Sequence, residues 1–81
     1  MSTSEKIQTY LLGKYMPGKS LSDLGLEDSL LESGLLDSAG IFDVVNFLEK
    51  SFQIQIEDEE IVANNFNSVS KIAKLVESKV G

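Results

Sequence analysis

The run Gly34-Leu35-Leu36-Asp37-Ser38-Ala39-Gly40 leads directly into an apolar pattern of helical period. Downstream of it Ile41, Val44, Val45, Leu48 and Phe52 recur at offsets of three, four, seven and eleven, which predicts a helix with one apolar face and Ser38 at its N-cap. A serine there can act as an ordinary cap, its oxygen accepting a backbone N–H for about 1 kcal/mol. The same place suits an anion. The unpaired N–H groups and the positive end of the helix dipole stabilise an attached phosphate by roughly 0.3 to 1 kcal/mol at an exposed site.

Working outward, Ser2-x-x-Glu5 reads as a capping box that opens a first helix near Ser2 or Thr3, continuing through Ile7, Tyr10, Leu11 and Tyr15 until Pro17-Gly18 stops it. From Lys19 to Asp37 the chain carries Leu21, Leu24, Leu26, Leu30, Leu31, Leu35 and Leu36, broken by Gly25 and Gly34. This is a long loop with leucine anchors, and its length predicts a short turn inside it, placed at Asp28 to Glu32. The second helix ends near Ser51. Phe52, Ile54 and Ile56 then alternate with Gln53 and Gln55, but a lone strand has no partner for its backbone, so an extended connector is expected. Asp58 is expected to cap a short helix with Glu59 and Glu60 in its first turn, Ile61 and Val62 facing inward, and Asn64-Asn65 at its end. A last helix opening at Asn67 or Ser68 places Val69, Ile72, Ala73, Val76 and Val80 on one face and Lys71, Lys74 and Lys79 on the rest. The prediction is an all-α bundle of three principal helices and one short one, a single domain over 1–81.

Composition excludes more than it assigns. The chain has no His, Cys or Trp, and all seven of its basic residues are lysines. Imidazole catalysis, thiolate nucleophiles, disulfides and ordinary zinc sites are therefore out of reach. No apolar run is long enough to span a bilayer. Met1-Ser2-Thr3-Ser4-Glu5-Lys6 lacks the basic start and apolar segment of a secretory signal, so the cytoplasm is the expected compartment. The net charge of -6 is concentrated: residues 23–60 hold eleven carboxylates against Lys50, while each flank carries a small positive excess. Such a field repels nucleic acid and attracts basic surfaces, although it also serves plain solubility. Glu57-Asp58-Glu59-Glu60 does not make a calcium loop, because the alternating ligands, central glycine and late glutamate are missing. No metal site is expected.

Asp37-Ser38 before such a helix, in a short acidic chain, resembles the acyl carrier protein family, and the likeness extends from the leucine-rich loop through Phe52-Gln53-Ile54-Gln55-Ile56 to Asn65-Phe66-Asn67-Ser68-Val69. One departure is Ala39, where the family usually has a large aliphatic residue. The form Gly-Leu-Leu-Asp-Ser-x-Gly is also similar to D-alanyl carrier proteins. The resemblance implies a right-handed bundle with its long loop between the first two principal helices. It implies covalent 4'-phosphopantetheine on Ser38, donated by coenzyme A through a phosphopantetheinyl transferase, with Asp37 supporting that reaction by orienting a metal of the transferase or attracting one of its basic residues. The cargo would be an acyl thioester in fatty acid, polyketide or related biosynthesis, or an aminoacyl or peptidyl one. Partners would be an activating ligase or synthase and acyltransferases or condensing enzymes, met by a monomeric, non-catalytic carrier. The family's partner-facing flank maps onto Ala39, Phe42, Asp43, Asn46 and Glu49. Phe42 lies beside the apolar stripe and fits either that flank or a widened core face, whereas Phe47 is expected in the core. The alternative from another class is an unmodified helical adaptor whose acidic surface binds a basic protein.

Overall fold

The hydroxyl of Ser2 accepts the backbone N–H of Glu5 at 3.1 Å and starts helix α1 (Thr3–Tyr15) where the sequence places it. The computed structural model describes residues 2–80; Met1 and Gly81, the ends of the expected 1–81 domain, lie outside the described residues. Ile7, Leu11 and Leu12 form the buried face of α1. Gln8 joins them by donating its side-chain amide to the Leu24 carbonyl at 2.8 Å, which satisfies a polar group that would be costly to bury alone. The Met16 amide returns to the Leu12 carbonyl and Gly18 takes a left-handed φ of 88°, so the chain leaves the helix at Pro17-Gly18 as expected.

The long loop is better organised than its sequence indicated. A 3-10 turn spans Leu21–Asp23, closed by the Ser20 amide on the Asp23 carboxylate at 2.8 Å. The turn expected at Asp28 to Glu32 is displaced by one residue: the Ser33 amide donates to the Ser29 carbonyl and the Glu32 amide to the Ser29 hydroxyl. Of the expected anchors, Leu24, Leu30 and Leu36 are buried, Leu31 and Leu35 half-buried, and Leu21 and Leu26 exposed.

Helix α2 (Ser38–Phe52) buries Gly40, Val44, Val45 and Leu48 and ends on Gln53, a non-glycine residue in the left-handed region at φ 53°. The alternating segment after it is an extended connector without a strand partner, as its isolation demands, and the Ile56 amide is satisfied by the Glu49 carboxylate at 2.9 Å. The short helix expected from Asp58 is corrected. Residues Asp58–Glu60 form a 3-10 turn held by the Glu57 amide on the Glu60 carboxylate, Val62 is exposed, and α3 (Ala63–Phe66) follows with Asn64 and Asn65 inside it. The acids that look like a first helical turn bond to one another's backbone too early, and the helical turn forms where Phe66 can be fully buried.

Helix α4 (Val69–Val80) starts from Ser68, whose hydroxyl accepts the Lys71 amide at 3.1 Å. Val69, Ile72, Ala73 and Val76 are buried, but Val80 is exposed, because it lies in the last turn beyond the reach of the other helices. Helix α1 packs chiefly against α4, and α3 seats itself on α4. The core gathers Ile7 and Leu11 of α1, Leu30 of the loop, Val44 and Leu48 of α2, Phe66 of α3, and Val69, Ile72 and Val76 of α4, all fully buried. Among the described residues there is no strand, and no helix is long and apolar enough to cross a membrane.

Candidate functional site

The start of α2 corrects one expectation. Ser38 is not the N-cap; Asp37 is, with extended backbone at φ -120° and its carboxylate accepting the Gly40 amide at 2.8 Å. Its carbonyl takes the first helical bond from the Ile41 amide at 2.9 Å. A carboxylate caps as well as a hydroxyl and adds a full negative charge facing the positive end of the dipole, so Asp37 wins the position. Ser38 becomes the first helical residue. It is exposed, and among the described residues its hydroxyl has no hydrogen-bond partner within the chain. An oxygen released from capping and turned to solvent is free to be a nucleophile toward an incoming group.

Gly40 explains how tightly this turn sits. A Cβ there would lie 3.0 Å from a methyl of Leu36, 3.4 Å from the Asp37 carboxylate and 3.6 Å from the Tyr15 hydroxyl. The absence of a side chain lets α2 settle against the loop and the end of α1. Ala39 beside Ser38 is exposed and adds no bulk.

Five residues beyond Ser38 in α2, Asp43 is the acceptor for three donors of α1. Tyr10 and Tyr15 both donate to its Oδ2, at 2.7 and 2.8 Å, and Lys14 Nζ sits 2.6 Å from Oδ1. Partial burial pushes the Asp43 carboxyl up, but the three donors together outweigh it and hold the group below its ordinary value. Tyr15 is pushed up to about 12, first by burial and then by its bond to the carboxylate, and Tyr10 is raised for the same reasons. Backbone approach between α1 and α2 is sparse, so this polar cluster and the stack of Tyr10 on Phe47, centroids 3.9 Å apart, carry much of their association. Phe47 is thus half-buried at the edge of the core, its ring edge-on to Phe52.

The expected partner flank divides accordingly. Ala39, Phe42 and Asn46 face solvent, and Phe42 at 57% exposure does not widen the core. Asp43 and Glu49 are partly buried and engaged inside the molecule, Asp43 by α1 and Glu49 by the Ile56 amide. The exposed flank of α2 is therefore less acidic than its sequence. An open groove of about 660 Å³ lies beside the loop, with Met16, Leu24, Leu30 and Leu35 as its apolar lining and Asp23, Asp28 and Glu32 as its charged lining. Leu35, on its wall, stands three residues before Ser38. Among the described residues no three potential metal ligands converge.

Tyr10, Lys14 and Tyr15 carry no assignment in the sequence reading beyond helix formation. The available signal is partial: Tyr10 and Lys14, at i and i+4, are neighbours on one flank of α1 with no acid of that helix beside them, but Tyr15 at i+5 lies about 140° round from Tyr10 and no spacing rule joins it to them. A scan against protein-family models and a search of curated proteins both found no match to this chain.

Proposed function

We propose that the chain is a discrete carrier protein of the acyl carrier type, with Ser38 as the attachment point for 4'-phosphopantetheine delivered from coenzyme A by a separate transferase. The observation that carries this reading is the division of labour at the start of α2: Asp37 does the capping, which leaves the Ser38 hydroxyl exposed and, among the described residues, unengaged in the first helical turn. The donor set fits the group, since the Ser38 and Ala39 amides have no partner among the described residues and the positive dipole end stands beside the oxygen that would bear the phosphate. When attached, the group supplies the thiol that the chain lacks, on which an acyl or aminoacyl residue is held as a thioester. The chain's own residues then fix the root of the arm and present the surface that partners recognise. Those partners are an activating ligase or synthase and the acyltransferases or condensing enzymes of fatty acid, polyketide or related biosynthesis, met in turn by a non-catalytic cytoplasmic monomer. A flexible tether raises the local concentration of cargo at each docked enzyme. The arrangement proposed for the helices is the right-handed acyl-carrier bundle.

An aminoacyl cargo is the second reading, favoured by the groove beside the loop. Its carboxylates at Asp23, Asp28 and Glu32 suit a cargo bearing an ammonium group better than one bearing a free carboxylate. The test of the main reading is the intact mass of the purified chain before and after incubation with coenzyme A, magnesium and a broadly accepting phosphopantetheinyl transferase. One added phosphopantetheine on the wild type and none on Ser38→Ala is the expected result. A folded, unmodified chain that accepts nothing from several transferases would instead favour the adaptor, which works equally well with Ser38→Ala.

A further inference from the structure

We infer that the groove between α1 and α2 is a docking surface for an acidic protein segment that presents an apolar side chain, a surface opposite in sign to the chain as a whole. The inference goes beyond the carrier reading and does not require Ser38 to be modified.

Two open hollows, of about 390 and 320 Å³, share Tyr10, Phe47 and Ser51 as walls; Lys6 and Thr9 complete the first and Lys50 stands on the second. The stacked rings of Tyr10 and Phe47 give both an apolar side. The Lys6 ammonium lies 5.3 Å from the centre of the Phe52 ring, which is itself edge-on to Phe47. Lys6 and Lys50 are exposed, and among the described residues neither has an ion pair. Asp43 also lines the second hollow, but both of its oxygens are taken by donors of α1, and Lys14 offsets its charge. Glu5 and Glu49, next to the two lysines in sequence, line neither hollow, and Glu49 is committed to the Ile56 amide. The groove therefore carries uncompensated positive charge on a chain of net charge -6.

Charge complementarity selects the occupant. At physiological ionic strength a charge is felt over only about 8 Å, so a segment lying in the groove is governed chiefly by the lysines that line it rather than by the net charge. A bare anion would leave the rings unused. A leucine or phenylalanine laid against the Tyr10–Phe47 stack, with carboxylates on either side of it, satisfies the apolar walls and the two ammonium groups together. The hollows are too open to enclose a small molecule, whereas a protein segment continues over their rims. Tyr10 and Phe47 are half-buried and do not project, so they give a bilayer nothing to take up.

The test titrates the isotope-labelled full chain with three blocked peptides and follows its amide resonances. The first has a phenylalanine flanked on each side by glutamates, the second replaces that phenylalanine with serine, and the third replaces the glutamates with lysines. The first is expected to shift the amides of Thr9, Tyr10, Phe47 and Ser51 with a Kd below about 1 mM, and to bind about fivefold or more tightly than the other two. Lys6→Glu combined with Lys50→Glu should weaken it about tenfold, whereas Lys74→Glu, on α4 and away from both hollows, stays within about twofold of wild type. Should the doubly reversed chain fail to fold, Lys6→Gln with Lys50→Gln removes the same charges and should weaken binding about threefold. Ser38→Ala binds as wild type does, so a chain that accepts no phosphopantetheine leaves this result standing, and a modified chain with no affinity for the peptide overturns the docking surface alone. Equal binding of the serine peptide, unchanged affinity in the lysine variants, or stronger shifts of the same amides by phosphatidylserine vesicles than by the first peptide would each overturn it as well.

Discussion

Replacing Asp43 with alanine removes the acceptor shared by Tyr10, Tyr15 and Lys14. Hydrogen bonds to a charged acceptor contribute about 1.5 to 3 kcal/mol each, and both tyrosines are only half-buried, so their hydroxyls can turn to water and the lower value applies. The exposed Lys14 is solvated and screened, so it is left out of the reckoning. The expected loss is therefore about 3 kcal/mol. A chain of this length has roughly 4 to 12 kcal/mol in total, so Asp43→Ala should lower the urea midpoint substantially and, at about 4 to 8 °C per kcal/mol, the Tm by on the order of 12 to 24 °C. Asp43→Asn keeps the shape but not the charge and should lose about half as much. The dependence on pH follows from the direction of the Asp43 shift. Its folded carboxyl lies below the ordinary value, so its contribution is present above the unfolded pKa of about 4 and is lost as pH falls through the folded one; the gap between wild type and Asp43→Asn should close in acid. Urea unfolding followed by circular dichroism measures all of this. A loss below about 0.5 kcal/mol in Asp43→Ala would show that α1 and α2 are held by apolar packing alone and that the shared acceptor contributes nothing to their association.

At the alkaline end the sign reverses. Tyr15 is raised to about 12 in the fold, so its contribution is complete below the unfolded value of about 10 and fades as pH rises toward 12; phenolate absorbance should titrate late in wild type and earlier in Asp43→Ala, where burial alone still holds it above the ordinary value. Asp37→Ala removes a cap and should cost about 1 kcal/mol in urea unfolding, a loss to be set beside its transfer rate so that folding and modification are read separately. Phe42→Ser removes an exposed ring and should leave stability within about 0.5 kcal/mol of wild type while weakening partner binding measured by titration calorimetry; a large loss of stability would return Phe42 to the core.

Much of the fold was legible because it follows from period and punctuation. The spacing of Ile41, Val44, Val45, Leu48 and Phe52 defined α2, Pro17-Gly18 stopped α1, and the isolation of Ile54 and Ile56 ruled against a strand. What escaped was decided by competition between neighbouring polar groups. Asp37 and Ser38 can both cap, and only charge together with the depth at which Gly40 is seated selects the aspartate. Glu57 to Glu60 look like a helix start, yet their local bonds make a 3-10 turn and defer the helix to Ala63–Phe66. The Asp43 cluster joins residues about thirty apart, a separation that no local pattern encodes. Its consequence for the site was equally hidden: an acid counted toward the partner flank is largely occupied within the fold.

Asn67, in the short link between α3 and α4, gathers the middle of the long loop. Its carbonyl accepts the Leu30 amide at 2.7 Å, its side-chain oxygen accepts the Ser29 hydroxyl at 2.8 Å and the Leu31 amide, and the Ser70 amide nearby reaches back to the Leu26 carbonyl at 2.9 Å. A connection of this length would ordinarily be the first place for a protease to cut. Here the backbone over residues 26–31 can enter a protease cleft only after the first turn of α4 has let go, and α4 holds much of the core. Cleavage in that segment should therefore track unfolding of the whole domain, while the stretch around Pro17 to Lys19, outside this clamp, is cut first.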